Sequence, residues 1–250
     1  FHDRRVLMPK TGRRSPSPTV QKGRESDSSN RKRSSALLTL EIIQLAGNWR
    51  VRKKLAARLE LVLPAIMALG GAKLPPGDYV MTLVLTDDRH QKMLNKKFRS
   101  IDKPTNVLSF PQYAPAQYRR LKPQAQPIFL GDITLSYQYI VCETKNGHKI
   151  LIDHIIHLAI HGILHILGYD HRTSRHAAAM KKLERTILQA MQIPDPYAPS
   201  PQTPKTLPLT LYESLSAASI DCRRYPRYRR RSAAGLAAAS SVIAAPACYP

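Results

Sequence analysis

Apolar residues are sparse over the first 35 positions and then fall into periodic runs separated by turn-forming residues. Residues 37–45 alternate apolar and polar side chains, the two-residue period of a strand. Residues 50–69 carry apolar side chains at helical spacing, and Gly70-Gly71 marks a stop. The run Tyr79 to Leu85 is short, apolar and β-rich, which predicts a buried strand. Thr86 or Asp87 then caps a helix that reaches about Phe98. Residues 105–110 read as a strand closed by Pro111, and the Pro-, Gln- and Arg-containing stretch 112–127 as a surface loop. A strand over 128–135 precedes a helix over about 136–146, stopped by Gly147. A long apolar helix follows at about 150–167 and ends at Gly168, and an amphipathic helix at about 174–191 ends before Pro194. This order predicts one α+β domain at 36–197, a small mixed β-sheet packed against helices.

The flanks read differently. Residues 1–35 are rich in Ser, Arg, Lys and Pro, and 198–250 in Pro, Arg and Ala, so neither holds enough apolar surface to pack. Both are expected to be disordered basic extensions. Of the formal charge of +22, most sits outside the core: residues 59–197 hold 17 Lys and Arg against 11 acids. Basic tails suit RNA, DNA or an anionic membrane, and equally plain solvation, without choosing among them. Cys142, Cys222 and Cys248 form no CxxC pair and leave an odd thiol. That pattern argues against a disulfide framework or a thiolate zinc site and fits a reducing cytoplasm. No signal peptide is visible, and the Ala-rich segment 232–248 is too weakly apolar for a membrane span, so no membrane partner is expected.

The chemistry is concentrated in the run from His161 to His171 (HGILHILGYDH). His161 and His165 stand four apart on a helix, so both imidazoles leave the same face one turn apart. Gly168 permits a left-handed exit from the helix, which swings His171 back as a third ligand. Three nitrogens leave one tetrahedral position open, the arrangement of a catalytic zinc. The spacing is also that of metzincin proteases, which carry a Glu general base directly after the first His. Here that residue is Gly162, which cannot take a proton. Met180 reads as core packing rather than a Met-turn. His154 and His157 project from nearly the same side as His161; they line the cleft, orient a ligand from behind, contact phosphate, or form a polar rim near solvent. Asp170 either buttresses a ligand His or caps the turn.

This segment resembles the HGxLHxxGYDH motif of the YbeY family, bacterial metal-dependent endoribonucleases of ribosomal RNA maturation. Two further blocks agree in order: Leu94-Asn95, Phe98-Arg99 and Asp102 to Pro111 (DKPTNVLSFP), then Leu130-Gly131-Asp132-Ile133. The similarity covers about 79–197, with weaker agreement back to about 37. Phe98 and Ser100 depart mildly from the family pattern and supply neither ligand nor charge. The resemblance implies His161, His165 and His171 as metal ligands and Arg99 as the functional arginine. A guanidinium offers paired donors to the oxygens of a phosphodiester transition state, in accord with that role. Asn106 and Asp132 read as turn or strand-end hydrogen-bonding residues.

The resulting expectation is a cytoplasmic, single-strand-specific endoribonuclease with one Zn2+ per chain. It would act in 16S ribosomal RNA 3′-end maturation and ribosome quality control. Its partners would be ribosomal RNA and the small ribosomal subunit, with a ribosome-assembly GTPase a further candidate. Nickel or another divalent ion fits the same ligands. The nucleophile, zinc-activated water or the RNA 2′-hydroxyl, stays open, and no general base is named. The rival readings are a metzincin-like metalloprotease and a non-catalytic zinc-containing ribosome-assembly factor.

Overall fold

Parallel strands need a crossover connection, and the long helix after the first strand supplies one. The computed structural model describes residues 35–70, 74–147, 149–198, 220 and 222. In chain order these form β1 (Ala36–Gln44), α1 (Arg52–Gly70), β2 (Gly77–Thr86), α2 (Asp88–Arg99) and β3 (Val107–Pro111). A 3-10 segment (Pro115–Arg120), β4 (Ile128–Ser136), α3 (Tyr137–Gly147), α4 (Leu151–Ile166) and α5 (Ser174–Ala190) complete the series. The sheet order is β1-β2-β4-β3. β1, β2 and β4 run parallel, and β3 lies antiparallel on the outer edge of β4. The domain is thus α+β with a small mixed sheet, as the pattern predicts.

The two faces of the sheet can be assigned from β4. Ile133 lies against Gly162 of α4. The next residue, Thr134, donates its hydroxyl to Gln91 of α2 at 2.9 Å. Side chains alternate along a strand, so α2 and α4 cover opposite faces. α2 is capped by Asp87, whose carboxylate accepts from the His90 amide. α4 packs against β3, β4, α1, α3 and α5. Thirteen of its sixteen residues are buried, which explains a helix that is apolar nearly all round. Among the described residues no single helix is long and apolar enough to cross a membrane.

Three expectations are corrected. The stretch 112–127 is not wholly a surface loop, because Tyr118 is fully buried and its hydroxyl donates to the Ile166 carbonyl at the end of α4. One aromatic anchor among polar residues creates no period, so the pattern hides it. His154 and His157 do not form a rim near solvent. The His154 side chain is 5% exposed and that of His157 13%. Finally, Cys142 of α3 is joined to Cys222 by a disulfide across 80 positions, with Cα atoms 5.2 Å apart. Pairing over such a separation leaves no spacing signal in the sequence. The disorder expected for 1–35 and 198–250 otherwise falls outside the described residues.

Candidate metal centre

α4 delivers His161 and His165 with ring centroids 4.4 Å apart, as one helical turn dictates. The helix ends at Ile166 with Leu167 as its C-cap, and Gly168 takes φ +91°. A Cβ there would also sit 2.9 Å from Pro115, so both conformation and space require glycine. The chain then returns His171, whose ring lies 5.0 Å from His165 and 5.9 Å from His161. One ring nitrogen from each of the three lies within 4.8 Å of the others, the one such triad of His, Cys, Asp or Glu among the described residues.

The surrounding hydrogen bonds fix which nitrogens are bare. His165 Nδ1 faces the Tyr169 carbonyl at 2.9 Å, and a carbonyl only accepts, so Nδ1 carries the proton. His161 Nδ1 faces the Glu184 carboxylate at 2.6 Å and is likewise the donor. In the neutral rings both Nε2 atoms are therefore bare acceptors, yet they face each other at 2.9 Å. Two opposed lone pairs at that distance repel, and a shared cation between the rings and His171 removes the conflict. The donor set thus fits a divalent metal of the zinc type. Burial, reinforced by the neighbouring His161 and His171, pushes the His165 imidazole down to about 3, which keeps its lone pair available.

Glu184 of α5 is fully buried, and the sequence reading missed it. Burial alone would raise its carboxyl, but the His161 hydrogen bond and the nearby His157 and His161 imidazoles outweigh that and hold it well below the usual carboxylate range. The cue was present: Met180, Glu184, Ile187 and Leu188 share the buried face of α5, and an acid on such a face needs a partner. The Asp170 carboxylate is taken up at the turn. It accepts from the Arg172 amide at 3.3 Å and pairs with His176 Nδ1 at 2.9 Å, which secures the turn into α5. His154 Nε2 pairs with Glu143 at 2.9 Å, and Glu143 also accepts from Asn106 Nδ2. Asn106 holds the start of β3, its Oδ1 accepting from the Val107 amide at 2.7 Å. Asp132 lies within β4, opposite Phe110 and Thr82, and shares the α2 face with Thr134, so alternation points it away from α4. Burial raises its carboxyl, partly offset by a Thr82 hydrogen bond.

Arg99 closes α2, and Phe98 beside it packs edge-on against Phe110 of β3 at 5.1 Å. Its guanidinium is partly buried, with its pKa lowered by that burial, and no hydrogen bond or ion pair among the described residues engages it. Among the described residues no hydrogen bond or cation–ring contact joins it to the three histidines. Beside His165 a cavity of about 120 Å³ is walled by Pro111, Tyr113, Tyr169 and Arg172.

Gly162 has a packing reason as well as a chemical consequence. A Cβ there would stand 2.7 Å from Ile133 Cγ2 and 3.2 Å from Ser109 Oγ, so the position is where α4 meets the sheet. Overpacking of about 1–3 kcal/mol exceeds the helix-propensity gain of about 1 kcal/mol for Gly→Ala. Gly162→Ala is therefore expected to lower the melting temperature by a few degrees in a thermal scan. An unchanged or raised value would contradict this packing.

A family model described as Endoribonuclease YbeY matches residues 50–192. Proteins named Endoribonuclease YbeY are similar at comparable levels in several bacteria. That of Nitrobacter hamburgensis is 41% identical over 164 residues, 66% of this chain and 84% of the relative. That of Nitrobacter winogradskyi is 40% identical over 165 residues, 66% and 85%. That of Chelativorans sp. is 38% identical over 165 residues, 66% and 96%. A solution structure from Thermotoga maritima is 22% identical with a TM-score of 0.40, covering 66% of this chain and 100% of that one. The three sequence blocks, the histidine triad they frame and the family match agree, and the chain belongs to the endoribonuclease YbeY family.

Proposed function

We propose that this chain is a zinc-dependent endoribonuclease, directed at single-stranded RNA, that acts in 16S ribosomal RNA 3′-end maturation and ribosome quality control. The observation that carries the reading is the pair of bare imidazole nitrogens opposed at 2.9 Å beside His171. His161, His165 and His171 would hold the metal, which supplies Lewis-acid polarisation of a phosphoryl oxygen when bound. Arg99 is the residue for the charge that gathers on the non-bridging oxygens, since no carboxylate already neutralises it among the described residues. Gly162 abuts the sheet and leaves the metalloprotease base position empty. The products decide the nucleophile: a 2′,3′-cyclic phosphate indicates the RNA 2′-hydroxyl, and a 3′-hydroxyl end excludes it.

Ribosomal RNA, the small subunit and a ribosome-assembly GTPase are the partners of this reading, and the cytoplasm its compartment. The Cys142–Cys222 bond is unusual for a reducing compartment. The basic flanks would add non-specific RNA affinity. A fragment of residues 36–197 is expected to bind zinc like the full chain but RNA more weakly. The slope of log affinity against log salt should shrink by about 0.7 for each lost phosphate contact on a single strand. An unchanged slope, read by fluorescence anisotropy, would remove the tails from RNA binding. Two rivals are separable: cleavage of a casein substrate, lost in His161→Ala, would favour a protease. Full cellular function of Arg99→Ala would favour a non-catalytic assembly factor.

A further inference from the structure

We infer that Glu184 and Tyr197 are positioning residues of the metal centre, a Tyr197–Glu184–His161 chain that orients one ligand from outside the histidine motif. The inference rests on metal binding by His161, His165 and His171. Glu184 divides its two oxygens. Oε1 accepts from His161 Nδ1 at 2.6 Å, and Oε2 accepts the Tyr197 hydroxyl and lies 3.6 Å from His157 Nε2. The carboxylate is 0% exposed, so it cannot exchange these partners for water.

The position of Tyr197 is itself built. Its amide donates to the Asp195 carboxylate at 2.8 Å, and Asp195 is paired with Arg185 at 3.0 Å. Lys181 and Arg185, four apart on α5, each lie 5.3 Å from the ring centre. His157 meets the ring edge-on at 5.8 Å. The Asp195-Pro196-Tyr197 turn is therefore anchored over the face of α5 that carries Glu184. Two consequences follow for His161. Glu184 fixes the tautomer that leaves Nε2 bare and holds the ring rotation that aims Nε2 at His165 and His171. Tyr197, 26 positions beyond the last ligand and outside the residues matched by the family model, keeps the carboxylate from turning away.

The test is the zinc affinity of the full chain, read by competition with a chromogenic chelator, together with the visible spectrum of the cobalt-substituted protein. No RNA is needed. Glu184→Ala should weaken zinc binding by about 10- to 100-fold, the effect of losing an outer partner of a ligand. Glu184→Gln keeps an acceptor for Nδ1 without the charge, so it should recover part of that loss and fold even if the alanine variant does not. Tyr197→Phe should lose several-fold and alter the cobalt spectrum, with the melting temperature of the metal-free protein nearly unchanged. Zinc affinity and cobalt spectra equal to wild type in both Glu184→Gln and Tyr197→Phe would overturn the inference. So would a fall in metal-free melting temperature with no change in affinity, which is what a merely structural acid gives. A wild-type chain that binds no zinc would instead overturn the metal reading on which this rests.

Discussion

Replacing His165 with alanine is expected to abolish both zinc binding and RNA cleavage while leaving the fold in place. His165 is 4% exposed, and its Nε2 lies 2.9 Å from that of His161, so it is the ligand at the middle of the triad. Its loss leaves two nitrogens for an ion that needs at least three protein ligands to be held in an open tetrahedral site. The fall in affinity should exceed the roughly 10- to 100-fold typical of losing an outer partner. Folding should suffer less than the burial suggests. The metal-free protein carries two opposed lone pairs, and removing one ring relieves that repulsion while opening a cavity. Metal analysis, RNA cleavage and a thermal melt on one preparation check all three statements. Retained zinc at wild-type affinity would sink the ligand assignment.

Arg99→Ala is expected to give the converse pattern, with zinc content unchanged and the single-turnover cleavage rate lowered about 10²- to 10³-fold, the range for losing one preorganised donor to a developing oxyanion. Arg99 closes α2, where a cation favourably meets the helix C-terminus. That contribution is only about 0.3–1 kcal/mol, so the variant should fold. Arg99→Lys should restore the rate only in part, because an ammonium keeps the charge but not the two parallel donors. A wild-type rate in Arg99→Ala would leave the guanidinium without a chemical role and return weight to an assembly factor.

What the sequence discloses here follows what has a period. The β1, β2 and β4 strands and the α1, α4 and α5 helices fall within a residue or two of their expected bounds, because each buries a repeating apolar face. The ligands are legible because all three stand in eleven consecutive residues, with the glycine that bends the chain between them. Features made by pairing across the fold were not. Glu184 is thirteen positions beyond His171, and Cys222 eighty beyond Cys142. Tyr118 is buried by contacts across the fold, its hydroxyl donating to the end of α4, rather than by any local pattern. His154 and His157 share a helix stripe with His161, but spacing alone does not say whether a stripe faces water or a carboxylate.

The most direct measurement is cleavage of a single-stranded RNA by the purified full chain, with zinc content determined on the same samples of wild type, His165→Ala and Arg99→Ala. The account expects cleavage with one zinc in the wild type, neither in His165→Ala, and zinc with little cleavage in Arg99→Ala. RNA cut at the wild-type rate by the zinc-free His165→Ala chain would contradict it.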